Sequence, residues 1–143
     1  MDRLSSGPCS RERGVVSGEL LIDGTAVGPA LVIEPLSFWG GFDPETGVII
    51  DRSHPALGVS LTGVLVAMPH GRGSSSSATV VAEALRLGTG PAGFLLLEAD
   101  EIIATGVFVA NSLYGLSVPV GVGQETVVTG RRYRLDTRGL AAV

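Results

Sequence analysis

The chain has 143 residues, of which 45% are apolar and 17% charged, and it carries a net charge of −4. This length accommodates one domain with a sizeable hydrophobic core, and the composition excludes a disordered chain. The single cysteine excludes an internal disulfide framework, and it excludes an iron–sulfur or cysteine-rich zinc site made by this chain alone. We therefore expect no metal site here. The acidic balance disfavours nucleic-acid binding, because the one dense basic group, at residues 131–138, is typical of an exposed strand edge.

The first 13 residues are mostly polar, and we predict a disordered leader there, followed by a single domain over residues 14–143. No apolar run approaches the roughly 18 residues that a membrane helix needs, and the N-terminus lacks the apolar core of a signal peptide. These features predict a cytoplasmic protein without a membrane segment.

The front of the domain predicts short strands rather than helices. Strands are expected at Gly18–Asp23 and Pro29–Glu34, with a turn-rich link at Gly24–Gly28 between them. The following segment, Pro35–Asp51, is too irregular for a helix. It predicts a packed loop that is closed by a strand at Val48–Ile50.

The rest of the chain alternates short apolar runs with helical patterns. The clearest helix covers Ser76–Leu87, where serines supply an N-cap and Gly88 a C-terminal stop. A second helix is predicted at Glu101–Leu113, although Gly106 and several β-branched residues weaken that pattern. This order of elements predicts an α/β domain with buried central strands and two main helices. The strands are predicted at Val64–Met68, Phe94–Leu97, Val118–Val122 and, as a polar edge strand, Val127–Leu135.

A glycine–serine loop, GRGSSSS at Gly71–Ser77, joins a buried strand to a helix N-terminus. Free backbone N–H groups and the helix dipole attract anions at such junctions, which is where α/β folds place ligand sites. A P-loop is excluded because the lysine is missing and the spacing differs. Spacing alone leaves two interpretations open: Ser74 or Ser75 caps the helix, or Gly71 and Gly73 let the backbone approach a ligand.

The segment EPLSFWGGFDPETGVIID, at Glu34–Asp51, is the second candidate motif. One interpretation is a structural loop with Trp39 as a buried anchor. The other is a partner surface next to the glycine–serine loop, since Phe38, Trp39 and Phe42 form an unusually aromatic loop. His54 and His70 are each predicted to be structural rather than catalytic.

Several motifs follow one another in an order that resembles the small subunit of aconitase X, the swivelling domain of a hydro-lyase family related to aconitase. The resemblance runs from about Glu19 to Gly123. It rests on PLSFWGG, DPETG and IID within Pro35–Asp51, Met68-Pro69 followed by HGRGSSSS, the D-x-I-x-A-T-G run at Asp100–Gly106, and SVPV at Ser117–Val120.

The resemblance implies a swivelling β/β/α domain of the aconitase type that forms half of a heterodimeric dehydratase. In that family a large subunit holds the iron–sulfur cluster, and the small subunit swings a serine over a small hydroxy-acid substrate. The catalytic serine, a general base, falls on Ser74. Arg72 is a weaker candidate for holding a substrate carboxylate, with Gly73 and Ser75 as further substrate contacts. Aconitase-like swivels often place an arginine shortly after the serines; this chain has Ser76-Ser77-Ala78 there, so that arginine role does not carry over.

Two substrates remain open within that family, cis-3-hydroxy-L-proline and mevalonate 5-phosphate. The loop offers only Arg72 to a phosphate, and this favours hydroxyproline. Two other classes of function are also open. Ile103–Gly123 is similar to the phosphohistidine carrier domain of phosphoenolpyruvate-using enzymes, although Asp100–Thr105 lacks the required histidine. The second of these classes is a binding module without catalytic activity.

Overall fold

The computed structural model describes residues 19–123 and 127–143. The predicted leader therefore lies outside the described residues, and the start of the domain at residue 14 stays a prediction. The strands are β1 Glu19–Ile22, β2 Ala26–Val32, β3 Phe42–Asp43, β4 Val48–Ile49, β5 Leu65–Met68, β6 Gly93–Leu96, β7 Val120–Val122, β8 Arg132–Asp136 and β9 Gly139–Ala142; the helices are α1 Phe38–Gly41, α2 Ser77–Leu87 and α3 Glu101–Tyr114.

Seven strands form one mixed sheet in the order β1-β7-β6-β5-β2-β8-β9, while β3 and β4 pair separately. The central strands β2, β5, β6 and β7 run parallel, whereas β1, β8 and β9 pair antiparallel to their neighbours. The predicted α/β fold with buried central strands and two main helices is confirmed. In the described part of the chain, no helix is long and apolar enough to cross a membrane.

Helices α2 and α3 pack together against one face of the sheet, where Val81 and Val107 join the main core. Gly106 lies at their contact, because a Cβ atom there would stand 2.6 Å from the Ala78 carbonyl oxygen. The glycine that weakens the helical pattern is therefore what lets the two helices approach closely. Leu65 and Leu95 point to a second apolar cluster on the other face, which β8 and β9 help to cover.

The predicted link at Gly24–Gly28 is wrong in its second half, because β2 begins at Ala26. Pairing with β8 extends the strand across Gly28, where a Cβ atom would stand only 2.7 Å from the Gly63 carbonyl oxygen. The close approach of the two backbones thus explains Gly28, although the composition of the surrounding segment indicated a turn.

The predicted polar edge strand at Val127–Leu135 is also corrected. The strand is β8, Arg132–Asp136, and it lies between β2 and β9 rather than at the edge. Polar and apolar residues alternate along β8 because the strand has one buried and one exposed face: Tyr133 and Leu135 are buried, and Arg132 is exposed. The edge strand at this end of the sheet is β9, which pairs with β8 across a tight hairpin and was not predicted.

Candidate functional site

The glycine–serine loop lies at the carboxyl edge of the parallel strands, between the end of β5 at Met68 and the start of α2 at Ser77. The carbonyl oxygen of Pro69 accepts the N–H groups of Leu97 and Glu98, each at 3.1 Å. The start of the loop is therefore fixed to the end of β6, in the position where open α/β sheets bind ligands.

Asp100 connects this loop to α3. Its Oδ1 atom accepts the N–H groups of Ile102 at 3.0 Å and Ile103 at 3.1 Å, which makes Asp100 the N-cap of α3. Its Oδ2 atom accepts the N–H of Gly71 at 2.8 Å. A Cβ atom on Gly71 would stand 2.9 Å from that same Oδ2 and 3.0 Å from a carbon of Ile103, so a side chain there would push against the Asp100 carboxylate and Ile103.

The segment around α1 contacts the loop from the opposite side. The N–H of Arg72 donates to the Leu36 carbonyl oxygen at 3.2 Å. Gly73 has a φ of +94°, and a Cβ atom there would collide with the Ser37 hydroxyl. A side chain at Gly73 is thus excluded both by the backbone conformation and by the neighbouring segment.

Ser77 joins α2 to the same segment. Its side chain is only 3% exposed, and its Oγ accepts the N–H of Trp39 at 3.0 Å. Together, Ser77 and Asp100 hold the two flanks of the loop. Between them is a small cavity of about 110 Å³, lined by Leu36, Phe38, Gly71, Arg72, Gly73, Ser77, Asp100, Ile102 and Ile103.

The structure divides the predicted site residues into two groups. Arg72 and Gly73 line the cavity, whereas Ser74 and Ser75 are exposed and do not line it. The Ser74 Oγ accepts the N–H of Ser76 at 3.0 Å, and its carbonyl oxygen accepts the N–H of Ser77 at 2.9 Å. The expectation that Ser74 or Ser75 is the N-cap is wrong, because the N-cap of α2 is Ser76, whose side chain makes no capping bond. Ser74 instead organises the turn that leads into α2.

The exposure of the aromatic residues at positions 38–42 differs from the expectation. Phe38 and Phe42 are buried at 1% and 2%, and their rings meet edge to face with centroids 5.2 Å apart. Trp39 is 57% exposed, so the buried Trp anchor is wrong and Phe38 anchors the segment instead. Of the three aromatic residues expected at a partner surface, only Trp39 is on the surface.

The two histidines differ in their surroundings. His54 is buried; its Nε2–H donates to the Glu34 carbonyl oxygen at 2.9 Å, and its Nδ1 accepts the N–H of Ala56 at 2.9 Å. Both ring nitrogens therefore serve the local loop, which confirms the structural role. His70 is exposed beside the site, with its Nδ1 2.6 Å from the Gly71 carbonyl oxygen.

One carboxylate close to the loop has a perturbed acidity. Hydrogen bonds from the Ser53 hydroxyl and the Ser53 N–H lower the pKa of Asp51 below its ordinary value, and the positive charge of Arg72 lowers it further. In residues 19–123 and 127–143, no three His, Cys, Asp or Glu side chains converge as a possible metal site. Cys9 lies outside the described residues.

A family model described as the aconitase X swivel domain matches residues 15–139. The chain belongs to this family. The aconitase X of Thermococcus kodakaraensis, solved by crystallography in its holo-form, superposes with a TM-score of 0.81 at 28% identity, and the match covers 96% of this chain and 99% of that one. The curled sheet with its helices is thus the aconitase X swivel fold.

Two kinds of relative share the aconitase X swivel sequence. Cis-3-hydroxy-L-proline dehydratase from Pseudomonas aeruginosa is 46% identical over 107 residues, which are 75% of this chain but 17% of that protein. The phosphomevalonate dehydratase small subunit from Pyrococcus furiosus is 34% identical over 124 residues, 87% of this chain and 83% of that one. This chain therefore spans less than a fifth of the first relative and most of the second.

Ser77 and Asp100 are the two site residues that the sequence did not identify. Asp100 immediately precedes a predicted helix, and this position indicates an N-cap. Its bond to Gly71 spans 29 residues of sequence, and the bond from Trp39 to Ser77 spans 38. No local pattern predicts contacts over such separations.

Proposed function

We propose that this chain is the small, swivelling subunit of an aconitase X-type dehydratase, and that it acts only together with a large subunit. The main support is its match to separate small subunits along most of their own length. The loop geometry agrees with this role, since the glycine–serine loop is held on both flanks at the ligand-binding edge of the sheet.

Ser74 is the proposed general base. Its Oγ already accepts the N–H of Ser76, and the N-terminus of α2 begins three residues further on. Both features would stabilise negative charge on the oxygen after its proton is lost to the medium. An exposed serine is a weak base in water, so the large subunit must cover Ser74 and exclude water from the pocket.

Arg72, Gly73 and Ser75 are the proposed substrate contacts. Arg72 supplies the cation for a substrate carboxylate, and Gly73 allows the backbone to approach the substrate closely. Ser75 is exposed beside Ser74, where its hydroxyl is available to a substrate held against the loop.

The iron–sulfur cluster is proposed to belong to the large subunit. The described residues of this chain provide no ligand group for it. In the complex, such a cluster supplies a Lewis acid for the hydroxyl that leaves. This chain's own contribution is then the serine loop and the substrate contacts.

Cis-3-hydroxy-L-proline is the proposed substrate, supported by the 46% identity to a dehydratase of that name. Mevalonate 5-phosphate is the second candidate, because the relatives that are separate small subunits carry that activity in their name. A phosphohistidine carrier is disfavoured, since the N-cap of α3 is Asp100 and not a histidine. A non-catalytic binding module is also disfavoured, because it would give the glycine–serine loop no catalytic role.

The test is to purify this chain alone and together with an aconitase X large subunit, and to measure dehydration of both substrates. We expect a cytoplasmic heterodimer that dehydrates hydroxyproline, whereas the single chain is colourless and inactive. Turnover by the single chain, or a complex that acts on neither substrate, would refute the proposal. Activity on mevalonate 5-phosphate alone would replace the substrate and keep the enzyme class.

A further inference from the structure

We propose that Asp100 is a positioning residue, and that its carboxylate sets the conformation of the glycine–serine loop and thereby the rate of the dehydration. This inference rests on the proposed function for its effect on turnover. The structural part, that Asp100 holds the loop, stands on the contacts of Asp100 alone.

The carboxylate of Asp100 is used at both oxygens. Oδ1 accepts two N–H groups at the start of α3, and Oδ2 accepts the N–H of Gly71. Only a carboxylate has two acceptor oxygens for this arrangement. An asparagine could cap the helix with its oxygen, but its NH₂ group would then face the N–H of Gly71, donor against donor.

The loop needs this bond because its own residues restrict it little. Gly71 and Gly73 lack Cβ atoms, so each can rotate freely unless a neighbour fixes it. The N–H of the next residue, Arg72, donates to a different segment, at the carbonyl oxygen of Leu36. Asp100 and Leu36 thus fix two consecutive residues of the loop, and we infer that this sets the position of Ser74.

The expected effect of losing the bond is on catalysis rather than on folding. A displacement of about 1 Å of a reacting group can cost roughly a hundredfold in rate. Asparagine is about as good an N-cap as aspartate, so α3 keeps its start in the Asp100→Asn variant. The loop is then released while the rest of the domain is unchanged.

The experiment compares Asp100→Asn with the matched control Asp136→Asn. Asp136 also accepts a backbone N–H, that of Arg138 at 2.9 Å, but it lies on β8 in the hairpin. In the full chain, NMR measures hydrogen exchange of the Gly71 amide. In the complex with the large subunit, steady-state assays on both substrates separate kcat from KM.

For Asp100→Asn we expect the Gly71 amide to exchange about tenfold faster or more, with the amides of Ile102 and Ile103 unchanged. We expect kcat to fall about tenfold or more, with KM changed less than about threefold. The control should change neither. Unchanged exchange at Gly71 overturns the positioning role, and faster exchange with normal kcat overturns its link to turnover. An inactive wild-type complex refutes the proposed function instead, while the exchange result still decides whether Asp100 holds the loop.

Discussion

The hydroxyl oxygen of Ser77 accepts the backbone N–H of Trp39 at 3.0 Å, and this bond joins the first residue of α2 to the segment before β3. Trp39 remains 57% exposed although its backbone N–H is bonded. A large, exposed aromatic side chain beside a proposed active-site loop is typical of a contact residue at a protein interface.

The first prediction concerns Trp39→Ala. Because the ring is mostly exposed, we expect the melting temperature of the single chain to stay within about 2 °C of the wild type. We expect its affinity for the large subunit to fall about tenfold or more, as a truncated aromatic hot spot would cause. Titration calorimetry or sedimentation of the two subunits measures this.

The matched control is Phe38→Ala, the neighbouring aromatic residue. Phe38 is 1% exposed and packs against Phe42 and Phe94, so its truncation should lower the free energy of unfolding by about 3–5 kcal/mol. If Trp39→Ala assembles with normal affinity, Trp39 is not part of the interface.

The second prediction concerns Gly106→Ala in α3. Alanine is intrinsically better in a helix by about 1 kcal/mol, yet the added Cβ would stand 2.6 Å from the Ala78 carbonyl oxygen. The helices must move apart, so we expect a net loss of about 1–3 kcal/mol of stability by chemical denaturation. Ser112→Ala, at an exposed position of the same helix, should leave stability equal or slightly raised. A stabilised Gly106→Ala variant would contradict the close packing.

The third prediction concerns pH. Asp51 has a lower pKa in the folded chain than its ordinary value of 3.8, chiefly because the Ser53 hydroxyl donates to it. Folding therefore releases a proton around this group, and its contribution to stability is present above pH 3.8 and is lost as pH falls through the folded pKa. Carbon-13 NMR titration of the carboxyl should show a midpoint below that value.

The cause of this shift is testable with two variants. Ser53→Ala should raise the pKa of Asp51 more than Arg72→Gln does, because the hydroxyl bond is the larger cause and the Arg72 charge a smaller one. A larger shift in Arg72→Gln than in Ser53→Ala would show that charge, not hydrogen bonding, dominates. Asp51→Asn should remove the corresponding acid dependence of the melting temperature.

The sequence predicted the elements whose signals are local. Gly88 ends α2 with a φ of +81°, and the apolar run before Pro69 forms β5. The two helices and most central strands follow from such patterns. The family motifs identified the swivel fold, which the superposition with a solved aconitase X confirms.

What the sequence did not predict depends on contacts between distant segments. Exposure of Trp39 and burial of Phe38 follow from the position of Phe94, which lies 6.1 Å from Phe38 between ring centroids and more than fifty residues away in sequence. The interior position of β8 likewise follows from its pairing with β2. Residue type alone does not distinguish these alternatives.

The fourth prediction tests the two proposed roles of the Ser74 hydroxyl group, organising the start of α2 and acting as the general base. Removing its bond to the Ser76 N–H in Ser74→Ala should lower stability by about 1 kcal/mol, as the loss of a single hydrogen bond typically does. If Ser74 is also the base, turnover of the complex should fall at least about a hundredfold, the lower end of what one general base contributes. The assay is steady-state dehydration of cis-3-hydroxy-L-proline, with melting temperature and subunit affinity measured in parallel.

Two neighbouring serines are the controls for Ser74. Ser75→Ala removes an exposed hydroxyl that makes no bond to the start of α2, so its stability should be unchanged and its turnover only mildly reduced. Ser77→Ala removes the acceptor for Trp39, so it should destabilise the chain and weaken assembly. A Ser74→Ala complex with full turnover would contradict the catalytic assignment, although not the family. The base would then lie in the large subunit, and this loop would position the substrate through Arg72 and Gly73.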